Sequence, residues 1–183
     1  GRSGIATAAF GGVPSQYNTF SYNDISSHAM LNVDTGAIYA CCSLNMVGTS
    51  IDHNWLHDAS PWSGALHTLT VGVYLDNASG GATVANNVGW NLSPWTPSNS
   101  RVVVLNATSA TGVASYVYNN DGGVSSANQP SGAVIENNIG FVTLIGTNTG
   151  VTVSNNLDAT VTDPLYTDPS TNDYTLQSGS PAR

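Results

Sequence analysis

The sequence predicts an all-β solenoid, and three observations carry that prediction. A short motif closing on asparagine recurs in register. Helix-length amphipathic stretches are absent, and Gly or Pro interrupts the chain roughly every ten residues. Strand-like runs fill the intervals: GAIYACC (36–42), GVYLDN (72–77), RVVVLN (101–106) and FVTLIG (141–146).

The recurring motif ends at Asn54, Asn87, Asn120, Asn138 and Asn156. Three residues before each stands a β-branched aliphatic: Ile51, Val84, Val117, Ile135 and Val153. A weaker copy pairs Phe20 with Asn23. The residue before the motif Asn is again Asn in four of the five copies, at 86, 119, 137 and 155. The spacing is 31, then 33 twice, then 18 twice, so a constant rung carries loops of variable length. Coils stacked about 4.8 Å apart place aliphatic over aliphatic and Asn over Asn. Each amide then donates to its neighbour's carbonyl, an Asn ladder. About six coils give a rod roughly 30 Å long. A β-sandwich would not repeat the corner chemistry in register.

Composition narrows the function. The 183 residues contain no lysine and only three arginines, Arg2, Arg101 and Arg183, against eleven acids, for a formal net charge of −8. Nucleic-acid and anionic-membrane partners are disfavoured, because both need clustered cations. Hydrophobic residues make up 40% of the chain, which argues against disorder. No apolar run is long enough for a transmembrane helix, and no signal peptide is visible at the start.

With these residues in view, the chain resembles right-handed parallel β-helix repeat proteins. The stretches that carry the resemblance are YNDIS (22–26), DTGAIY (34–39), IDHNWLHD (51–58), GVYLDN (72–77) and DPLYTDPSTNDYTLQSGSPA (163–182). Closing segments of the last kind resemble those that end the β-helix domains of secreted bacterial carbohydrate-active proteins. The resemblance implies a lead-in over 1–17, coils over 18–162 and a capping segment over 163–183. It also implies an extracellular, glycan-active protein of glycoside-hydrolase type. No amphipathic N-terminal cap is evident, so upstream coils or end-to-end self-association through uncapped coils are expected.

The candidate catalytic residues are Asp34, Asp58 and Asp76, each at the end of a strand-like run. Glycoside hydrolysis needs two carboxyls, about 5 Å apart for retention and further apart for inversion. The resemblance points to Asp34 paired with Asp58 or Asp76. The competing reading is that each Asp closes a turn. The tripeptide SPW occurs at 60–62 and 93–95, which predicts an aromatic wall of Trp62 and Trp95 on equivalent loops. Tyr39, Tyr74, His57 and His67 are further candidates for substrate contact, while Trp55 and Trp90 read as packing residues. If extended, the run through His57 and Asp58 turns those two side chains to opposite faces.

His53, His57 and an Asp make an unspecific set for a metal, so no metal site is assigned and no cofactor is expected; Ca²⁺ held by Asp residues is the one ion considered. Cys41 and Cys42 are adjacent. Strand alternation turns one toward the core as a small hydrophobe, and a vicinal disulfide would need unusual backbone geometry. The sequons at Asn77, Asn91 and Asn106 are those expected by chance in a chain this rich in Asn, Ser and Thr. The expected activity is binding or hydrolysis of a neutral polysaccharide. The alternative is a non-catalytic structural, adhesive or filament-forming module. A polysaccharide lyase is disfavoured, since Arg101 is the only cation away from the termini.

Overall fold

A computed structural model describes residues 3–8, 14–31, 34–61, 69–93, 100–106, 113–128 and 132–183. The first sheet comprises β1 (Ile5–Ala8), β4 (Thr35–Cys41), β7 (Thr70–Asp76), β10 (Arg101–Asn106), β12 (Gly123–Ala127) and β14 (Val142–Ile145). The second comprises β2 (Thr19–Ser21), β5 (Ser50–Asp52), β8 (Thr83–Ala85), β11 (Ser115–Tyr118), β13 (Ala133–Glu136) and β15 (Val151–Ser154). In both, the strands lie in that order and every pairing is parallel.

The third sheet joins β3 (Asp24–Ile25), β6 (Trp55–His57) and β9 (Val88–Trp90), again parallel. Single bridges through Asp121, Ile139 and Leu157 extend it. The chain thus visits the sheets in turn and returns to the first, an all-β arrangement of parallel sheets compatible with a β-helix-like solenoid. The antiparallel hairpin of β16 (Tyr166–Asp168) and β17 (Asp173–Leu176) stands apart from this pattern.

The predicted aliphatic stack is present. Phe20, Ile51, Val84, Val117, Ile135 and Val153 are successive register partners across the second sheet. Ile51, Val84, Val117 and Ile135 are fully buried in the main core, with Ile38, Val73, Leu75, Val103 and Leu105 from the first sheet.

The motif asparagines form one hydrogen-bonded column. The amide nitrogen Nδ2 of Asn23, Asn54, Asn87, Asn120 and Asn138 donates to Oδ1 of the next at 2.8, 2.8, 2.9, 3.0 and 2.8 Å. The backbone N–H of each donates to the same oxygen. From Asn54 to Asn156, Nδ2 also donates to a carbonyl: Phe20, Ile51, Val84, Val117 or Ile135. Both amide protons and both oxygen lone pairs of Asn54, Asn87, Asn120 and Asn138 are thereby used, which burial requires.

The doubled asparagine has its own cause. Tyr22, His53, Asn86, Asn119, Asn137 and Asn155 all have φ between 53° and 58°. This left-handed conformation turns the corner between the second and third sheets, and Asn is among the few residues that adopt it readily. In the first two coils the position is held instead by Tyr22 and His53, whose rings stack at 5.0 Å.

At the start, β1 pairs in parallel with β4 inside the segment read as a lead-in. Residues 163–183 pack along the flank of the third sheet, where the Tyr166 hydroxyl donates to Asp121 and Tyr174 lies 5.3 Å from Trp90. Among the described residues β14 and β15 have no strand partner on their outer edges, and Leu144, Ile145 and Val153 are 47%, 50% and 43% exposed.

The ladder makes a quantitative prediction. Asn87→Ala removes four side-chain hydrogen bonds in a buried column and should cost about 3–5 kcal/mol. Asn156→Ala, at the partly exposed last rung, should cost less. Urea unfolding with an unchanged slope measures both. Asn119→Ala should cost about 1 kcal/mol through its left-handed φ of 55°, whereas Asn119→Gly should be close to neutral. Equal losses at Asn87 and Asn156 would contradict the burial argument.

Candidate functional site

The structure sorts the chemistry-bearing side chains into two groups. The first lies on the outward face of the third sheet. Register pairs Asp24 with Trp55 and His57 with Trp90. The His57 imidazole is held at both ends: Nε2 lies 2.7 Å from Asp24 Oδ1 and Nδ1 lies 2.7 Å from Asp58 Oδ2. Each imidazole nitrogen thus faces a carboxylate oxygen. Asn91 Nδ2 donates to the other Asp58 oxygen at 2.9 Å. That bond first, and His57 second, hold the Asp58 carboxyl below the usual carboxylate value.

The aromatic rings continue this ridge. His57 stacks face to face on Trp90 at 4.3 Å, Trp55 meets Trp90 edge-on at 6.0 Å, and Tyr174 covers Trp90 from the hairpin. Trp90 is buried and its indole Nε1 has no hydrogen-bond partner, while Trp55 is 54% exposed. Between Trp55, Trp90, Tyr174, Asn172 and Asp173 lies a groove of about 380 Å³. Burial first, then the nearby Asp121 and Asp58 charges, raise the Tyr174 phenol above its ordinary value.

The second group lies on the outward face of the first sheet. Asp76 Oδ2 accepts from the Tyr39 hydroxyl at 2.8 Å, and its Oδ1 accepts from Asn77 N at 2.8 Å and Asn106 Nδ2 at 2.9 Å. Asn106 also donates to the Tyr74 hydroxyl. Tyr39 and Tyr74 are register partners and pack edge to face at 5.5 Å. Asp76, Tyr39 and Tyr74 are 4%, 7% and 2% exposed, a closed polar knot. Burial foremost, then Asp76 and more weakly Asp34, push the Tyr74 phenol well up.

The three candidate carboxyls therefore divide. Asp34 and Asp76 both act on Tyr74, whereas Asp58 belongs to the His57 ridge. His57 and Asp58 do not face opposite ways, because Asp58 takes φ 48° and breaks the extended run. Trp55, read from sequence as a packing residue, is half exposed and lines the groove. Trp62, Trp95 and His67 lie outside the described residues. Arg101 donates to Ser125 Oγ at 2.8 Å and sits over the Phe141 ring.

Cys41 and Cys42 are joined as a vicinal disulfide, against the expectation of a core-facing thiol. β4 ends at Cys41, and Cys42 turns off the strand with φ 78°, so alternation no longer separates the two sulfurs. Cys41 packs with Tyr39, Val71, Tyr74 and Val104 on the outer face rather than in the main core. Among the described residues no three His, Cys, Asp or Glu side chains are grouped to hold a metal ion. Nor, among them, is any helix long and apolar enough to cross a membrane.

The residues that sequence reading missed were within its reach. One position after each ladder asparagine fall Asp24, Trp55, Val88, Asp121, Ile139 and Leu157, the outward row of the third sheet. His57, already a candidate from the sequence, and Trp90, read there as a packing residue, lie three positions after. Tyr166 and Tyr174 left no such signal, because their contact with the ridge is purely tertiary.

No protein-family model, curated protein or solved structure matches the chain.

Two buried groups give opposing pH dependences. Burial raises the Asp121 carboxyl from 3.8 to about 6. Its contribution to stability is full below 3.8 and is lost as pH rises through about 6. Burial lowers His28 from 6.5 to about 4. Its contribution is full above 6.5 and is lost as pH falls through about 4. Asp121→Asn should leave a protein that loses stability on acidification across this window. His28→Phe should leave one that loses stability as pH rises. Melting temperatures across the window test both signs.

Proposed function

We propose that the chain is a right-handed parallel β-helix that works outside the cell as a glycan-binding protein, taking a neutral polysaccharide along the His57 ridge. Parallel strands joined by crossovers are right-handed in nearly all proteins, which supports the hand. The vicinal disulfide suits an oxidising compartment. One observation carries the ligand assignment: a groove of about 380 Å³ bordered by the half-exposed Trp55, Trp90 and Tyr174. Its size lies within the usual range for ligand clefts, about 300–1,000 Å³. Indole and phenol rings offer flat apolar faces with polar edges, the surface on which a sugar ring stacks. Asn172, Thr171 and Thr175 line the same groove and supply partners for sugar hydroxyls.

Hydrolysis is the stronger form of this proposal. Asp58, with its side chain 48% exposed, is the candidate carboxyl open to a chain lying on the ridge, whereas Asp76 is closed off. Asp34 with Asp76 remains the alternative pair, at the first sheet.

A second reading, a non-catalytic module that assembles end to end, is favoured by the exposed Leu144, Ile145 and Val153 on the unpaired edges of β14 and β15.

Affinity electrophoresis against a panel of neutral polysaccharides tests the binding. Retardation is expected, and Trp55→Ala should weaken it by about tenfold, roughly 1.4 kcal/mol. No retardation by any member would overturn the reading. Release of new reducing ends that is lost in Asp58→Asn would assign hydrolysis to the ridge. Loss in Asp34→Asn and Asp76→Asn, with Asp58→Asn active, would assign it to the first sheet. Concentration-dependent sedimentation that disappears in Ile145→Lys would favour the assembly reading.

A further inference from the structure

We infer that the groove beside Trp55 prefers a sugar carrying a free ammonium group, so that its best ligand is an oligosaccharide of deacetylated amino sugars. This rests on the glycan-binding proposal and revises its neutral ligand to a cationic one. The inference combines the aromatic faces with the charges around them.

The electron-rich face of the half-exposed Trp55, with Tyr174 on the opposite wall, attracts cations as well as apolar sugar faces. Asp173 lines the same groove. Its Oδ1 is taken by the backbone N–H and the hydroxyl of Thr175. Asp24 is the register partner of Trp55, one strand away, and its side chain is 69% exposed. Asp58 lies close enough to raise the Tyr174 phenol. Asp173 thus lines the aromatic groove, and Asp24 and Asp58 lie on the adjoining ridge at His57.

Little opposes them. The chain has no lysine. Arg101 is engaged with Ser125 and Phe141, and Arg183 lines a separate cavity beside Asn156 and Leu157. The cationic group facing the ridge among the described residues is His57, which two of the three carboxyls share. Even with His57 charged, the groove keeps an excess of negative charge. An ammonium group on a bound sugar would meet that excess at close range, where a hydroxyl would not.

Calorimetry with three oligosaccharides of matched length tests this: a glucosamine oligomer, its N-acetylated form and the glucose oligomer with the same linkage. Salt is the variable of choice, because it screens the charge attraction directly. The glucosamine oligomer should bind at least about tenfold tighter than the other two at low salt, and the advantage should shrink at high salt. It should fall in Asp173→Asn, which removes the carboxyl that lines the groove, and by less in Asp24→Asn. Equal affinities for all three would overturn the inference and leave the glycan-binding proposal standing. A preference that survives both substitutions would also overturn it. Failure of all three to bind would overturn the inference, and the polysaccharide panel then decides the glycan-binding proposal.

Discussion

The asparagine amide is the constraint on which the rest of the structure depends. A buried primary amide has two protons and two lone pairs to satisfy, and leaving any unpaired costs about 1–3 kcal/mol. Asn87 meets the whole demand only when Asn54 lies below it, Asn120 above it and the Ile51 carbonyl at its side. Every pass of the chain must therefore return to the same height and corner. That fixes the register of the second sheet, and with it which of the alternating side chains enter the core. The left-handed residue before each rung and the aliphatic three before it follow from the same return.

Much of this framework was legible because it repeats locally. The Asn and aliphatic positions follow a single spacing rule, and a rule obeyed five times needs no tertiary information. Legibility fell where one residue departs from regular backbone. The left-handed φ of Asp58 rotates its carboxyl onto His57, and that of Cys42 brings two sulfurs together. Neither is readable from alternation, which assumes an extended chain. The Trp55 groove was hidden for another reason: its second wall is the hairpin of residues 166–176, and no local pattern shows where a distant segment docks.

The two polar groups also show why similar residues take different roles. Asp76 and Asp58 each accept hydrogen bonds from neighbouring coils, and each neighbours aromatic rings. Asp76 lies on the long β7 beside Tyr39 and Asn106, all its acceptors are filled, and it is buried. Asp58 sits beyond the short β6, where the chain turns away, so nearly half its side chain remains open. Strand length, rather than residue type, decides which carboxylate becomes a structural knot and which remains accessible.

The unequal coil lengths have a mechanical meaning. The two rungs after Asn54 are separated by 33 residues and the last two intervals by 18, yet each closes with the same amide geometry. The additional residues of a long coil thus leave the rung geometry unchanged, and closing a longer loop costs only about 0.6 kcal/mol for each doubling of length. Segments could be lengthened, shortened or exchanged in the long coils while the ladder holds its register. The framework of parallel sheets therefore behaves as a chassis, with longer intervals in one part and shorter ones in the other.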